Sequence, residues 1–427
     1  MTYFSRRRFL KTAGFNAAGL LAAEQIFPDP YQKAAAPIRK KVKITDVKCM
    51  IVRGTWDWNL IKIETDSGLC GIGEAYWGWG VKDLVVNKMK GIVVGEDPLN
   101  VDKLYTKMLR DSAGAGAIGG VTLTAASGIE IALWDLAGRL LQTPVCNLLG
   151  GRYRDRVRFY RTTQVPKNPQ DLQSWRDLVH RTMAEHWGWT AMKVQGDGIP
   201  RALDPEYKQP GHDPYLRNLT KKDIRDIVAR MEIVRETLGR DADFAIDLHW
   251  HYDTEDAIQL ARALADVNPM WIEDPVPPEN PATMAFVRQH SPVPVCTGEN
   301  LYGFAGFEKL IELQGCDAIH IDIPKSGGLS ESKRISEFAA SYDIWTAAHN
   351  PASPVGTIAS AHAAAAMRNF RVHELANWID WWPDLVIHEG PIWENGYLTI
   401  QDKPGLGIEI NEDVARAHLA PGETWWA

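Results

Sequence analysis

Cysteine is scarce and unpaired in this chain. The five residues, Cys49, Cys70, Cys146, Cys296 and Cys316, are scattered, with no Cys-x-x-Cys among them. This excludes both a disulfide framework and a thiolate metal centre. No basic stripe interrupts the mixed charges, and the formal net charge is −7, which argues against a nucleic-acid partner. No glycine-rich phosphate turn follows the first strand-like run of the repetitive region, which disfavours an open nucleotide-binding sheet. What is present is an ordinary folded composition, 45% hydrophobic and 24% charged. At 427 residues the chain is long enough for a large α/β domain and a smaller companion.

The N-terminus stands apart. Arg6, Arg7 and Arg8 precede Phe9, Leu10 and Lys11, and a short, weakly apolar stretch follows from Thr12 to Ala23. That stretch is too short to span a bilayer but has the order of an export signal. The run Ser5 to Lys11 resembles a twin-arginine signal, which implies delivery to the periplasm with cleavage between Ala22 and Ala36. Residues 1–36 are therefore set aside as signal and linker.

From residue 37 to 153 two alternating strands, "KITDVKCMIVR" and "NLIKIETDSGLCGIGEA", precede helical stretches such as "TLTAASGIEIALWDLAGRLL". This reads as a small α+β domain. From 154 to 395 strand-like runs alternate with amphipathic helices: "VRFYRT", "TAMKVQ", "DFAIDLH", "MWIEDP", "VPVCTGE", "AIHIDIP", "IWTAAHN" and "FRVHELAN". Such alternation means βαβ units, and eight of them predict a (β/α)₈ barrel capped by the smaller domain. Residues 396–427 return to strand-like alternation and are expected to pack back on the capping domain. A Pro- and Gly-rich insertion after "TAMKVQ" reads as a long loop. Seventeen tryptophans are a surplus, and several cluster in "GTWDWN", "AYWGWG" and "NWIDWWP", which read as loops. Packing is the plainer role for them, and stacking on a ligand the sharper one.

Asp247, Glu273 and Glu299 fall 26 residues apart, each closing a strand-like run. That spacing matches a βα unit, so all three should stand on the C-terminal rim of a barrel, where barrel enzymes place their chemistry. Clustered carboxylates repel unless a cation neutralises them, and an all-oxygen set favours Mg²⁺ over Zn²⁺. In "FAIDLHWHY", His249 follows Asp247 by two residues, which on a strand would put both on one face.

"DLH", "WIEDPVPPEN" and "CTGEN", followed by "HIDIPKSGG", "TAAHNP" and "VHELAN", resemble the landmark sequences of the enolase superfamily, mandelate racemase subgroup. The small domain continues the likeness through "ALWDLAGR" and "LLGGRYRD", and the subgroup's acid-sugar dehydratases are the most similar in pattern. The resemblance implies Mg²⁺ on Asp247, Glu273 and Glu299, and a reaction that opens by removing the proton α to a carboxylate. It implies His349 as the base, oriented by Asp322, with Lys193 as a fixed cation. Glu374 would donate a hydrogen bond to the substrate carboxylate if it kept its proton. His249 would protonate a departing β-hydroxyl. Where relatives with a lysine base carry Lys-x-Lys, this chain has Lys193, Val194 and Gln195, and Gln195 cannot take a proton. A two-base epimerase would lose its second base there, whereas a dehydratase would lose nothing. Gln195, Trp56, Trp58, Tyr76 and Trp77 are candidate substrate contacts.

The resulting expectation is a hydro-lyase that converts a small sugar acid into a 2-keto-3-deoxy acid. It has no nucleic-acid partner and no stable membrane insertion, and forms a homo-oligomer. An epimerase or cycloisomerase is the neighbouring alternative. An exported sugar-acid binding protein without turnover is the distant one.

Overall fold

A computed structural model describes residues 35–116, 118–203, 218–377 and 379–426. The twin-arginine run Ser5 to Lys11 lies outside the described residues, as do Tyr207 and His212 of the insertion. Three antiparallel strands open the chain: β1 (Ile44–Arg53), β2 (Asp57–Thr65) and β3 (Cys70–Ala75), in the order β1-β2-β3. After a short helical stretch between β3 and residue 93 come two longer helices, α1 (Val101–Asp111) and α2 (Gly120–Leu140). Nearly every residue of α2 is buried, because it runs directly over β3. Glycine permits that approach: a Cβ on Gly71 would meet the Ala132 carbonyl oxygen at 2.2 Å. "GTWDWN" is only partly a loop, since Trp58 lies within β2.

The second unit is the expected barrel. Its strands are β4 (Arg156–Thr163), β5 (Ala191–Gln195), β6 (Asp243–Asp247), β7 (Ile272–Glu273), β8 (Val295–Thr297), β9 (Ala318–Asp322), β10 (Trp345–His349) and β11 (Phe370–Leu375). All pair in parallel in chain order, and β11 returns to β4, closing the ring. The outer helices are α3 (Leu172–Met183), α4 (Gly198–Leu203), α5 (Lys221–Leu238), α6 (Thr254–Ala263), α7 (Pro281–His290), α8 (Gly303–Glu312), α9 (Gly328–Ala340) and α10 (Pro354–Ala365). Local sequence sets many of their starts. Asp171, Thr220, Asp253, Asn280 and Ser353 each cap a helix with a side-chain oxygen, and Pro281 and Pro354 begin theirs. The insertion after β5 is helical in its first part, α4, rather than loop throughout. No helix among the described residues is long and apolar enough to cross a membrane.

Buried carboxylates from α2 stitch the units together. Glu130 accepts from the backbone N–H of Leu329 and Ser330, 2.8 and 3.0 Å away, at the start of α9. Asp135 accepts from Ile72 N and, in the C-terminal segment, Leu406 N. That segment also bridges to the capping domain through Arg139 and Glu409. A carboxylate at a helix N-terminus satisfies orphan donors and meets the positive end of the helix dipole.

Burial nonetheless pushes the Glu130 carboxyl up to about 7, against an ordinary value of 4.5, although the N–H donors pull it back. A folded-state value above the unfolded one means the folded chain binds the proton more tightly. Stability is then full below pH 4.5 and declines as pH rises toward about 7. Urea unfolding between pH 4.5 and 7.5 should show this decline, with Glu130 contributing at most about 1.4 kcal/mol per pH unit. Glu130→Gln should make the decline shallower. An identical pH slope in wild type and variant would refute the assignment.

Candidate active site

One buried face inside the barrel organises the site. Tyr160, Ala191, Ala245, Trp271, Cys296, Ala318, Ala347 and Val372 pack together as one cluster, one residue on or just before each barrel strand. Above Cys296 comes Gly298, and the other seven lead to side chains. Strand alternation places the residue two further on above each of those seven: Thr162, Lys193, Asp247, Glu273, His320, His349 and Glu374. Asp322 follows His320 by the same step. These side chains therefore rise toward the C-terminal rim for one geometrical reason.

Glu299 and His249 arrive differently. Strand β8 ends at Thr297, and Gly298, at φ +134°, turns the chain before Glu299. Strand β6 ends at Asp247, and His249 and Trp250 have φ of +44° and +51°. His249 thus owes its position to a left-handed turn and not to strand alternation, which corrects the expectation drawn from "FAIDLHWHY". It still lies beside Asp247, whose Oδ1 is 3.5 Å from His249 Nδ1. Asp274, next to Glu273, also has positive φ, at +42°. Non-glycine residues in this region are strained, and such strain concentrates at functional sites.

Lys193 is the electrostatic centre. Its Nζ lies 2.9 Å from Asp247, 2.5 Å from Glu273 and 3.0 Å from Glu374, all buried. Burial alone would lower the ammonium's pKa, but these three carboxylates outweigh it and hold the value well above the ordinary range. Glu273 also accepts from Trp271 Nε1 at 2.9 Å and sits 3.2 Å from His320 Nδ1. His320 fills the barrel interior, with Nε2 on the Tyr160 hydroxyl.

Glu374 differs from expectation. Burial would raise its pKa, yet Lys193 and His349 together bring it down to about 2. It accepts hydrogen bonds from the Thr162 hydroxyl and from Asn350 N. Here it is an acceptor, and the lowering by Lys193 and His349 runs against the retained proton on which the expected donor role depends.

Two aspartate–histidine pairs face each other across the ring. His349 Nδ1 is 2.7 Å from Asp322 Oδ2, and its Nε2 is 3.4 Å from Glu299 and 3.8 Å from Glu374. Burial opposes the imidazolium, but Glu299 and Glu374, then Asp322, raise its pKa to about 9. His249 Nδ1 is 2.9 Å from Asp197 Oδ1. Burial would lower the His249 pKa, and Asp247 and Asp197 instead raise it well above the ordinary value. Strands β6 and β10 are four steps apart in either direction around the eight-strand ring, so these histidines stand on opposite sides.

Asp197 was not anticipated. It lies in "QGDG", just beyond β5, where only the Lys-x-Gln motif drew notice. Lys325 was missed as well: its ammonium donates to the Glu299 carbonyl at 2.8 Å and to Asn300 Oδ1 at 3.1 Å, and lies over the rings of Tyr76 and Tyr302. Gln195 is partly exposed on the rim, in register with Asp247. A run of rings leads away from His349: Tyr76 at 6.3 Å, then Trp77, then Trp56 stacked on Trp77 at 5.3 Å. Trp58 is not in that run. It is 1% exposed and donates its indole N–H to the Pro351 carbonyl, so its face is not open to a ligand.

Asp247, Glu273 and Glu299 all face the same rim as acids, but among the described residues only Glu273, Cys296 and His320 bring three possible ligand atoms close together. Asp247, Glu273 and Glu299 all raise the carboxyl of buried Asp274, which burial already pushes well above its ordinary value, so three charges bear on one spot. Lys193 is within ion-pair distance of two of the three. The group of Glu273, Cys296 and His320 lies lower in the barrel. There burial drives the Cys296 thiol well above its ordinary pKa, which keeps it from serving as a thiolate, and His320 is engaged by Tyr160.

Comparison with known proteins agrees with this geometry. Residues 40–150 match the family described as "Mandelate racemase / muconate lactonizing enzyme, N-terminal domain", and residues 176–414 match "Enolase C-terminal domain-like". The chain is 40% identical over 388 residues to D-xylonate dehydratase of Haloferax volcanii, covering 90% of this chain and 91% of that one. It is 28% identical over 367 residues to D-galactonate dehydratase of Xanthomonas campestris pv. campestris, covering 84% and 90%. The crystal structure of a mandelate racemase/muconate lactonizing enzyme-like protein from Rubrobacter xylanophilus superposes with a TM-score of 0.83 at 34% identity, covering 90% of this chain and 99% of that one. With a closed barrel, its capping domain and the acidic rim in place, the chain belongs to the mandelate racemase/muconate lactonizing group of the enolase superfamily and is a hydro-lyase of the sugar-acid dehydratase kind.

Proposed function

We propose that the protein is a Mg²⁺-dependent aldonate dehydratase, with D-xylonate the first substrate to test. The observation that carries this reading is the pair of aspartate-held histidines on opposite sides of the acidic rim. Each sets Nδ1 on its aspartate, and Nε2 of His349 points into the acidic rim beside Glu299 and Glu374, where substrate would meet it. His349 would take the proton from the carbon α to the carboxylate, leaving the electron pair as an enediolate. His249 would give a proton to the β-hydroxyl as its C–O bond breaks, so that water departs and the enol relaxes to a 2-keto-3-deoxy acid. Asp247, Glu273 and Glu299 would hold a Mg²⁺ ion, which supplies charge stabilisation at the substrate carboxylate and offsets the anionic pull on His349. Lys193 adds a permanent positive charge beside the same spot. The 40% identical relative named D-xylonate dehydratase supports a five-carbon acid.

Three outcomes test the reading. Treatment with EDTA should abolish 2-keto acid formation from D-xylonate, and Mg²⁺ should restore it. Glu299→Gln should weaken metal binding in calorimetry without loss of fold. Full turnover in metal-free buffer would sink the metal assignment.

His349→Asn should lose both turnover and deuterium exchange at the α-carbon. His249→Asn should lose dehydration by on the order of 10²-fold or more while exchange persists, because the base is intact and only the leaving group lacks its acid. Wild-type product formation by His249→Asn across the aldonates that wild type uses would exclude this division of labour.

We also propose that the chain reaches the periplasm by the twin-arginine route, on the strength of Ser5-Arg6-Arg7-Arg8-Phe9-Leu10-Lys11. Replacing Arg6 and Arg7 by lysine keeps the charge and should leave precursor in the cytoplasm. Normal delivery of that variant would refute the route.

A further inference from the structure

The segment after His349, Asn350 to Ser353, is tethered at every residue. Asn350 N donates to Glu374 Oε2 at 3.1 Å, and its side chain donates to Thr357 Oγ1 at 2.8 Å. The Pro351 carbonyl accepts from Trp58 Nε1 at 2.9 Å. The Ala352 carbonyl accepts from Asn377 and Trp382. Ser353 N donates to Glu74 Oε1 at 2.9 Å, its hydroxyl bonds Glu74 Oε2, and Gly356 N reaches the same oxygen at 2.9 Å. Two of these holders, Trp58 on β2 and Glu74 on β3, belong to the capping domain and not to the barrel.

Glu74 is fully buried and clasps the N-terminus of α10, where three donors converge on its carboxylate. The fit is close. A Cβ on Gly356 would meet Glu74 Oε2 at 2.9 Å and Ala352 Cβ at 2.8 Å, so only glycine leaves room for the carboxylate. Two residues beyond Glu74, Tyr76 N donates to the Pro324 carbonyl, two residues past Asp322. The end of β3 therefore touches the loops behind both members of the Asp322–His349 pair.

We propose that Glu74 is a positioning residue for His349: with Trp58 it fixes the turn between β10 and α10 from across the domain junction, keeping the imidazole between Asp322 and the Glu299–Glu374 side of the rim. The capping domain then governs the base as well as lining the approach to it. This inference rests on the assignment of His349 as base, but its first readout does not need substrate.

The test uses full-length protein labelled with ¹⁵N-histidine, its His349 ring signals assigned with His349→Asn. Glu74→Gln keeps the shape and removes any charge; Trp58→Phe removes the indole N–H together with part of a buried side chain. In both variants the His349 ring nitrogens should shift, and the Nδ1 proton should exchange faster with solvent. Turnover should follow, with kcat down about tenfold to a hundredfold and KM within about threefold, since a displaced base slows chemistry more than binding. If Glu74→Gln fails to fold, Trp58→Phe carries the test. Unchanged His349 signals in every variant that folds overturn the proposal, whatever happens to melting temperature or rate. If wild type turns over no aldonate, the functional reading fails and the ring signals still decide the positioning role.

Discussion

Too many carboxylates share too little water at the rim of this barrel, and that constraint shapes the rest. Asp247, Glu273 and Glu374 are buried around the single ammonium of Lys193, with Glu299 beside His349. Like charges buried together cost several kcal/mol unless countered. The protein counters them unevenly. Lys193 and His349 hold Glu374 ionised at about 2, whereas Asp274, with only hydroxyl help from Thr297, is pushed the other way. The same surplus of negative charge raises His349 to about 9.

The barrel cannot hold this arrangement alone. Loops at the C-terminal rim are the least regular part of such a fold, yet two of them carry the ends of the Asp322–His349 pair. The capping domain supplies what they lack, by placing buried acids where helices begin. Glu130 reaches the start of α9 and Glu74 the start of α10, the helices that follow β9 and β10. Helix N-termini offer unsatisfied N–H groups, so a carboxylate from another domain can serve as cap and bolt together. The small domain is accordingly part of the active-site frame.

Much of this was legible in the sequence for physical reasons. Apolar runs at βα spacing announced eight strands, the 26-residue spacing put Asp247, Glu273 and Glu299 at strand ends, and the family resemblance pointed to Lys193, His349 and Glu374. The pattern reaches its limit where the backbone leaves the strand, even for residues it named. His249 arrives through left-handed φ, and Glu299 through Gly298, neither of which alternation can foresee. Trp58 was read as a loop aromatic able to stack on substrate, but β2 begins one residue earlier and buries it. Asp197 and Lys325 were invisible because their partners, His249 and Glu299, come beside them only when neighbouring strands β5–β6 and β8–β9 pair.

The ionisation of Glu374 shows most clearly where pattern reading stops. A carboxyl surrounded by other acids is expected to keep its proton, and the sequence places acids all around it. Its register on β11 settles the matter otherwise. Glu374 pairs with Tyr160 of β4, one strand from Lys193 on β5, and the closure of β11 on β4 brings carboxylate and ammonium to 3.0 Å. The first and last strands are more than 200 residues apart in the chain, as the Thr162–Glu374 hydrogen bond records. No local pattern conveys that contact. Glu374 is therefore a negative neighbour for His349 and an acceptor for Thr162 and Asn350, held there by a strand pairing between the two ends of the barrel.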